Sequence, residues 1–354
     1  MFPERIYNVN ILSERLLPSP AEVKSKLPLT PAGEDTVYNS RATLERILRR
    51  EDKRLMLILG PCSIHDPAAA REYAVLLRGL AERVSDTFFL VMRTYFEKPR
   101  TTLGWKGLIN DPYLDDTFAI EEGLTIAREL LLYLAELGIA AGTEALDPII
   151  PQYLHDLISW TSVGARTSES QRHREMASGL STPIGIKNGT DGSIQVAVNA
   201  LSSIQRSHHF LGISREGQCT IMETRGNPYG HLVLRGGVRP NYDAESIAEC
   251  EHQLAEAGLP VRLVVDCSHG NSLKNPSIQP HVLENCVEQL LEGNRSIVGL
   301  MLESNLGYGS QKVSDGRANL KYGVSITDAC LGWSTTERIV LEASETLREC
   351  LRRR

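Results

Sequence analysis

Leu55-Met56-Leu57-Ile58-Leu59-Gly60-Pro61-Cys62-Ser63-Ile64-His65-Asp66-Pro67 is the stretch that decides the fold. Its successive large apolar residues, with no polar alternation, suit a parallel strand buried on both faces. Gly60 and Pro61 end the run. Asp66 then reads as an N-cap with Pro67 at the first helical position, so a helix is expected over 66–84. Strand, turn and helix in that order make one βα unit, and the unit recurs. Further short apolar runs stand at Phe88–Arg93, Ala140–Ala145, Val163–Arg166, Pro183–Asn188, His209–Ser214, Arg262–Ser268 and Ile297–Ser304, making eight. Helical spacing fills 121–137, 246–257 and 280–291, stopping at Gly138, Gly258 and Gly293. Eight strands alternating with helices predict a (β/α)8 TIM barrel. Residues 1–45 precede the first strand and are expected to form an N-terminal extension, with the catalytic barrel over 46–354. After the sixth run, Gln218–Thr224 and His231–Leu234 flank Gly226-Asn227-Pro228, the pattern of an inserted β-hairpin after strand 6.

The bulk properties agree with an enzyme-sized globular chain. Of 354 residues, 42% are hydrophobic and 23% charged, enough apolar material for a large core. A net charge of −6 argues against general nucleic-acid or membrane affinity. The first residues intersperse Glu4, Arg5, Glu14 and Arg15 among isolated apolar side chains, so neither a secretory signal nor a membrane span is expected. The seven cysteines, at 62, 219, 250, 267, 286, 330 and 350, are scattered and odd in number. Reduced thiols and a cytoplasmic location follow. The closing Leu351-Arg352-Arg353-Arg354 reads as a solvated charge run.

Barrel enzymes carry their chemistry at the C-terminal ends of the strands, and those ends form two groups here. Arg93, Lys98, Arg100, Arg166, Lys187 and Arg235 would converge as a basic set in an acidic protein. Such a set repels itself unless it holds anions, and guanidinium forks match phosphate and carboxylate. Cys62, His269, Glu303 and Asp328 offer soft, borderline and hard donors together. That mixture suits one first-row divalent ion, Mn, Fe, Co or Zn, with an open coordination position. Taken singly, each residue has a plainer reading: a small core cysteine, a hydrogen-bonded histidine, a salt-bridged arginine. Ten of them at one face of the barrel favour the functional reading.

The same residues lie in longer motifs. Gly60-Pro61-Cys62-Ser63-Ile64-His65-Asp66-Pro67, Tyr95-Phe96-Glu97-Lys98-Pro99-Arg100-Thr101, Gly104-Trp105-Lys106-Gly107-Leu108-Ile109 and Gly164-Ala165-Arg166-Thr167 are four of them. Lys187-Asn188-Gly189-Thr190-Asp191-Gly192, Leu234-Arg235-Gly236-Gly237, Asp266-Cys267-Ser268-His269-Gly270-Asn271 and Ser325-Ile326-Thr327-Asp328-Ala329-Cys330 complete the set. Together they resemble the microbial class I 3-deoxy-D-arabino-heptulosonate-7-phosphate (DAHP) synthases, over about residues 5–345. The resemblance implies a condensation of phosphoenolpyruvate with erythrose 4-phosphate, the first step of the shikimate route to aromatic amino acids. It implies metal ligands at Cys62, His269, Glu303 and Asp328, and phosphoenolpyruvate contacts at Arg93, Lys98, Arg166, Lys187 and Arg235. Erythrose 4-phosphate would meet Arg100 and Thr101. Lys98 is expected as proton donor, and Glu144 as the group that positions or deprotonates water. The loop between Ser304 and Lys321 departs from the family pattern.

The resemblance further implies feedback inhibition by an aromatic amino acid, bound near Asn8, Pro151, Gln152, Ser181, Phe210 and Gly212. The chain is most similar to the tyrosine-sensitive isozymes, and Gly212 would leave room for a phenolic oxygen. Phenylalanine and tryptophan are the alternatives. A homodimer or homotetramer is expected, with the N-terminal arm crossing an interface. Cys330, two residues from Asp328, is expected to approach Cys62 and form a disulfide when metal is absent. The competing readings are 3-deoxy-D-manno-octulosonate-8-phosphate synthase and a barrel kept as an amino-acid sensor. The first meets its sugar with a segment unlike Lys98-Pro99-Arg100-Thr101, and the second predicts a lost ligand where none is lost.

Overall fold

The computed structural model describes residues 6–313 and 319–354. Glu4, Arg5 and the centre of the loop between Ser304 and Lys321 lie outside the described residues.

A closed parallel barrel organises the chain. Its strands are β1 (Leu55–Gly60), β2 (Phe88–Arg93), β3 (Ala140–Glu144), β4 (Trp160–Val163) and β5 (Ile184–Lys187), then β8 (Gly230–Leu234), β9 (Leu263–Asp266) and β10 (Ile297–Asn305). They pair in that order, and β10 closes on β1 in parallel register from Met56↔Gly299 to Gly60↔Glu303. Between β5 and β8, β6 (His209–Ile213) and β7 (Cys219–Glu223) form a separate antiparallel hairpin. A short β11 (Leu331–Gly332) extends the β10 edge.

The sixth barrel strand is therefore β8, and the hairpin precedes it instead of following it. Burial explains the exchange. Every residue of β8 is buried, whereas β6 and β7 alternate between exposed and half-buried. His231 disguises β8 in the sequence. It is wholly buried, because Trp160 Nε1 donates to its Nε2 at 3.0 Å. Strand four also lies earlier than expected, at Trp160–Val163 instead of Val163–Arg166. Its polar Thr161 and Ser162 are buried and bonded to the Thr182 and Tyr95 hydroxyls, so the sequence does not read as apolar there.

The helices are α1 (Pro20–Lys26), α2 (Pro31–Leu48), α3 (Pro67–Arg83), α4 (Ile120–Glu136), α5 (Pro151–Leu154), α6 (Gln171–Gly179), α7 (Gln195–Ile204), α8 (Ala244–Glu256), α9 (Gln279–Leu291) and α10 (Trp333–Arg353). Asp66 caps α3 by accepting from the backbone of Ala68 and Ala69, a contribution of about 1 kcal/mol. Gly138 and Gly258 follow α4 and α8 with φ of 77° and 65°, the left-handed turn that glycine adopts without strain.

Alternation along the strands separates two cores. Leu55, Leu57 and Leu59 pack outward against the helices, while Met56 and Ile58 point into the barrel with Val91, Trp160, Val233 and Met301. Leu44, Ile47 and Leu48 of α2 join that inner cluster and close the barrel's N-terminal end. Residue 45, the expected end of the extension, lies within α2. Among the described residues no helix is long and apolar enough to cross a membrane.

Candidate active site

The C-terminal strand ends bring together residues far apart in sequence. Cys62 lies just beyond β1 and is wholly buried. Its Sγ and carboxylate oxygens of Glu303 and Asp328 lie within 4.8 Å of one another. His269 Nε2 reaches Glu303 Oε1 at 3.5 Å. These side chains are held from behind. Gln279, at the start of α9, accepts from Glu303 N at 2.9 Å and donates to Glu303 O at 3.0 Å. Ser63 and Thr327 share a hydroxyl contact of 2.7 Å, tying the β1 loop to the loop that carries Asp328. His269 has a left-handed backbone, φ 53°, fixed by Lys274 N donating to its carbonyl at 2.7 Å. One thiol, one imidazole and two carboxylates are a donor set for a borderline divalent ion.

Asp266, the last residue of β9, orients the neighbouring groups. Its Oδ2 faces His269 Nδ1 at 2.8 Å and Lys187 Nζ at 3.3 Å. Its Oδ1 accepts from the Ser268 backbone and hydroxyl. Burial opposes ionisation of Asp266, yet His269, Lys187 and Arg93 together hold its carboxyl well below the usual range. An Nδ1–H given to Asp266 leaves Nε2, on the Glu303 side, free to ligate, the arrangement that commonly fixes a metal-binding imidazole.

The basic set packs beside this cluster. Arg93 is fully buried, with Nη2 on Glu303 at 3.0 Å and its guanidinium carbon 4.1 Å from the Tyr95 ring centre. Lys98 Nζ and Lys187 Nζ each lie 5.9 Å from the same ring. Three cations around one aromatic ring gain its quadrupole attraction, which offsets part of their mutual repulsion. Lys98 also donates to Cys62 Sγ at 3.2 Å. Burial alone would lower its pKa, but Cys62, Glu303, Glu144 and Asp328 hold it above the usual value, so Lys98 is protonated at neutral pH. Burial and then Glu303 push the Cys62 thiol up to about 11, against Lys98; a bound cation would reverse that. Arg235 is fixed through its backbone, whose N–H donates to Asn188 Oδ1 at 2.8 Å. Arg166 is exposed on the turn after β4.

Glu144 ends β3 with its Oε1 buried and without a hydrogen-bond partner among the described residues. A Cβ at Gly164 would come within 2.2 Å of that oxygen, so a side chain there would push the carboxylate from this position. Arg100 and Thr101 are exposed, and Arg100 Nε turns back onto Trp105 O at 2.7 Å. Cys62 and Cys330 are both buried free thiols. Tyr95, Asn188, Asp266 and Gln279 had no assigned role in the sequence reading. The first three stand within the quoted motifs; nothing in the sequence singles out Gln279.

A second cavity, about 630 Å³, lies between the α5 and α6 region and the hairpin. Pro151, Gln152, Ser181, Phe210 and Gly212 line it. Asn8 does not; its amide bonds Glu14 within the arm at 2.9 Å.

Residues 30–341 match the model of the DAHP synthetase I family. The chain belongs to that family. Family membership makes it an enzyme of the DAHP synthase reaction and sets aside both the octulosonate and the sensor readings. It is 51% identical to the Tyr-sensitive phospho-2-dehydro-3-deoxyheptonate aldolase of Salmonella typhimurium, over 98% of each chain. Identity is 52% to the Trp-sensitive enzyme of Escherichia coli O157:H7, over 92% of this chain and 93% of that one. The solved phospho-2-dehydro-3-deoxyheptonate aldolase of Francisella tularensis SCHU S4 superposes with a TM-score of 0.92 at 44% identity, covering 97% of this chain and 99% of that one.

Proposed function

We infer that the barrel mouth condenses phosphoenolpyruvate with erythrose 4-phosphate, with one divalent ion held by Cys62, His269, Glu303 and Asp328. The observation that carries this reading is the juxtaposition of the Cys62, Glu303 and Asp328 donors with three cations ranged around Tyr95. Arg93, Lys98, Arg166, Lys187 and Arg235 would take the phosphate and carboxylate of phosphoenolpyruvate, and Arg100 and Thr101 the phosphate of the aldose. When bound, Mn, Fe, Co or Zn supplies Lewis acidity toward the aldehyde.

The rest falls to the protein. The arginines hold two polyanions in register, an entropic and electrostatic contribution. C3 of phosphoenolpyruvate bonds to the aldehyde carbon, and Lys98 gives its proton to the oxygen that gains charge. Water adds at C2, giving a proton to the unpartnered Glu144 Oε1. The C–O bond to phosphate then breaks as the C2 hydroxyl becomes the carbonyl, and phosphate leaves with the electron pair of that bond and the hydroxyl's proton. Titrating EDTA-stripped protein with Co(II) tests the ligand set. A thiolate-to-metal absorption band is expected, absent in Cys62→Ser; an unchanged band in that variant removes Cys62 from the set.

Tyrosine is the proposed inhibitor, bound in the 630 Å³ cavity by Pro151, Gln152, Ser181, Phe210 and Gly212. The near-equal identity to Tyr- and Trp-sensitive relatives leaves the choice to the pocket. A side chain at Gly212 would meet Met222 Cγ at 2.9 Å, so this glycine serves hairpin packing as well as space. The arm offers Ile6, Val9, Ile11, Leu12 and Leu16 to solvent, and the hairpin offers the cross-strand pair Leu211 and Ile221. Those two apolar surfaces support a homodimer or homotetramer in which the arm, with Asn8, reaches a neighbouring subunit's pocket, and the seven free cysteines support a cytoplasmic location.

A further inference from the structure

The opposite end of the barrel carries a second set of cations. Arg50 follows α2, Lys53 and Arg54 precede β1, Arg295 precedes β10 and Arg354 follows α10. With Asp52 they line a cavity of about 110 Å³. Asp52 is already engaged by Arg54, at 2.7 Å. Three of the other four are fixed by carbonyls. Arg50 Nη2 donates to Val261 O at 3.1 Å and Lys53 Nζ to Arg352 O at 2.8 Å. Arg354 Nη2 donates to Arg295 O and Ile297 O, each at 2.7 Å, so the end of the expected solvated run is folded in.

A carbonyl satisfies a donor and fixes a side chain, but leaves its charge uncompensated. Among the described residues none of Arg50, Lys53, Arg295 and Arg354 has an ion-pair partner. Burial, then Arg50 and Arg295, pull the Arg354 pKa down to about 10. Helix C-termini favour nearby cations by roughly 0.3–1 kcal/mol each, and α2 and α10 both end here. That accounts for one or two cations, not for four without an ion-pair partner around one cavity in a chain of net charge −6.

We propose that this cavity binds a phosphate-class oxyanion, either free or as the terminal group of a small phosphorylated metabolite. Its volume is about 110 Å³, several times the roughly 10–15 Å³ that a cavity needs to hold one water, which leaves room for a tetrahedral oxyanion. Pre-fixed donors with uncompensated charge are what such a ligand needs. The site is separate from the mouth and does not depend on the assignments made there.

Metal-loaded protein free of phosphoenolpyruvate is titrated calorimetrically with inorganic phosphate, then with glycerol 3-phosphate. The Arg50→Gln/Arg295→Gln variant is expected to lose one class of phosphate sites, with at least tenfold weaker binding, while kcat and both KM values stay within twofold. Arg100→Ala, at the mouth, is expected to keep that class. Tighter binding of the ester than of phosphate identifies the metabolite form, and equal binding the free ion. Isotherms of wild type and the double variant that superimpose overturn the proposal. If the double variant does not fold, Lys53→Gln decides: about threefold weaker binding is expected, and unchanged binding overturns it.

Discussion

Asp266→Asn isolates how the site aims its histidine. The substitution keeps the shape, and the amide oxygen can still accept from Ser268. The other position, now an NH2, faces His269 Nδ1 and Lys187 Nζ, which Asp266 Oδ2 meets at 2.8 and 3.3 Å. Donor would face donor. The imidazole relieves this by moving its proton to Nε2, which places an N–H where the ligating lone pair should be. Losing such a supporting contact typically costs 10- to 100-fold in metal affinity, about 1.4–2.7 kcal/mol. The assay is competition for Zn(II) against a fluorescent chelator, with circular dichroism confirming the fold. The tautomer argument also predicts epistasis: with His269→Ala already present, Asp266→Asn should weaken binding less than threefold further. An equal loss in both backgrounds would refute it, since Asp266 would then act through overall charge.

Lys98→Met should lower turnover by about 10²–10⁴-fold, the range of a lost general acid; substantial residual activity in steady-state kinetics removes Lys98 from the mechanism. Glu97 should make stability depend on pH. Burial, then Asp147, pushes its carboxyl up to about 8. The folded state therefore binds the proton more tightly than the unfolded one, and stability falls as pH rises from about 4.5 to 8. Glu97→Gln should raise the Tm at pH 8 and leave it nearly unchanged at pH 4; parallel Tm curves for the two proteins would contradict this. Gly212→Ser should raise the tyrosine concentration for half-inhibition at least tenfold with kcat retained, because the new side chain must displace Met222. Unchanged inhibition removes Gly212 from the effector pocket.

What the sequence showed and hid follows from where each signal resides. Leu55–Leu59 could be read because a strand buried on both faces has no polar residue to confuse it. The α3 cap and the glycines after α4 and α8 are local signals, and they stand where the sequence placed them. Thr161, Ser162 and His231 defeated the reading of β4 and β8, since their polar atoms are satisfied by partners 21 to 71 residues away. The hairpin strand β6 passed for a barrel strand because His209–Ile213 is as apolar as the true one. The residues proposed as ligands were legible as chemical types at strand ends. Their supports were not: Gln279 holds Glu303 across 24 residues, and Tyr95 matters only because three cations converge on its ring.

The most direct test is phosphate release from phosphoenolpyruvate after EDTA treatment, with and without erythrose 4-phosphate and with and without restored Mn(II). Release only when both the aldose and the ion are present is the expected result. Release from phosphoenolpyruvate alone, or undiminished release by the stripped protein with both substrates, would contradict a metal-assisted condensation at the barrel mouth.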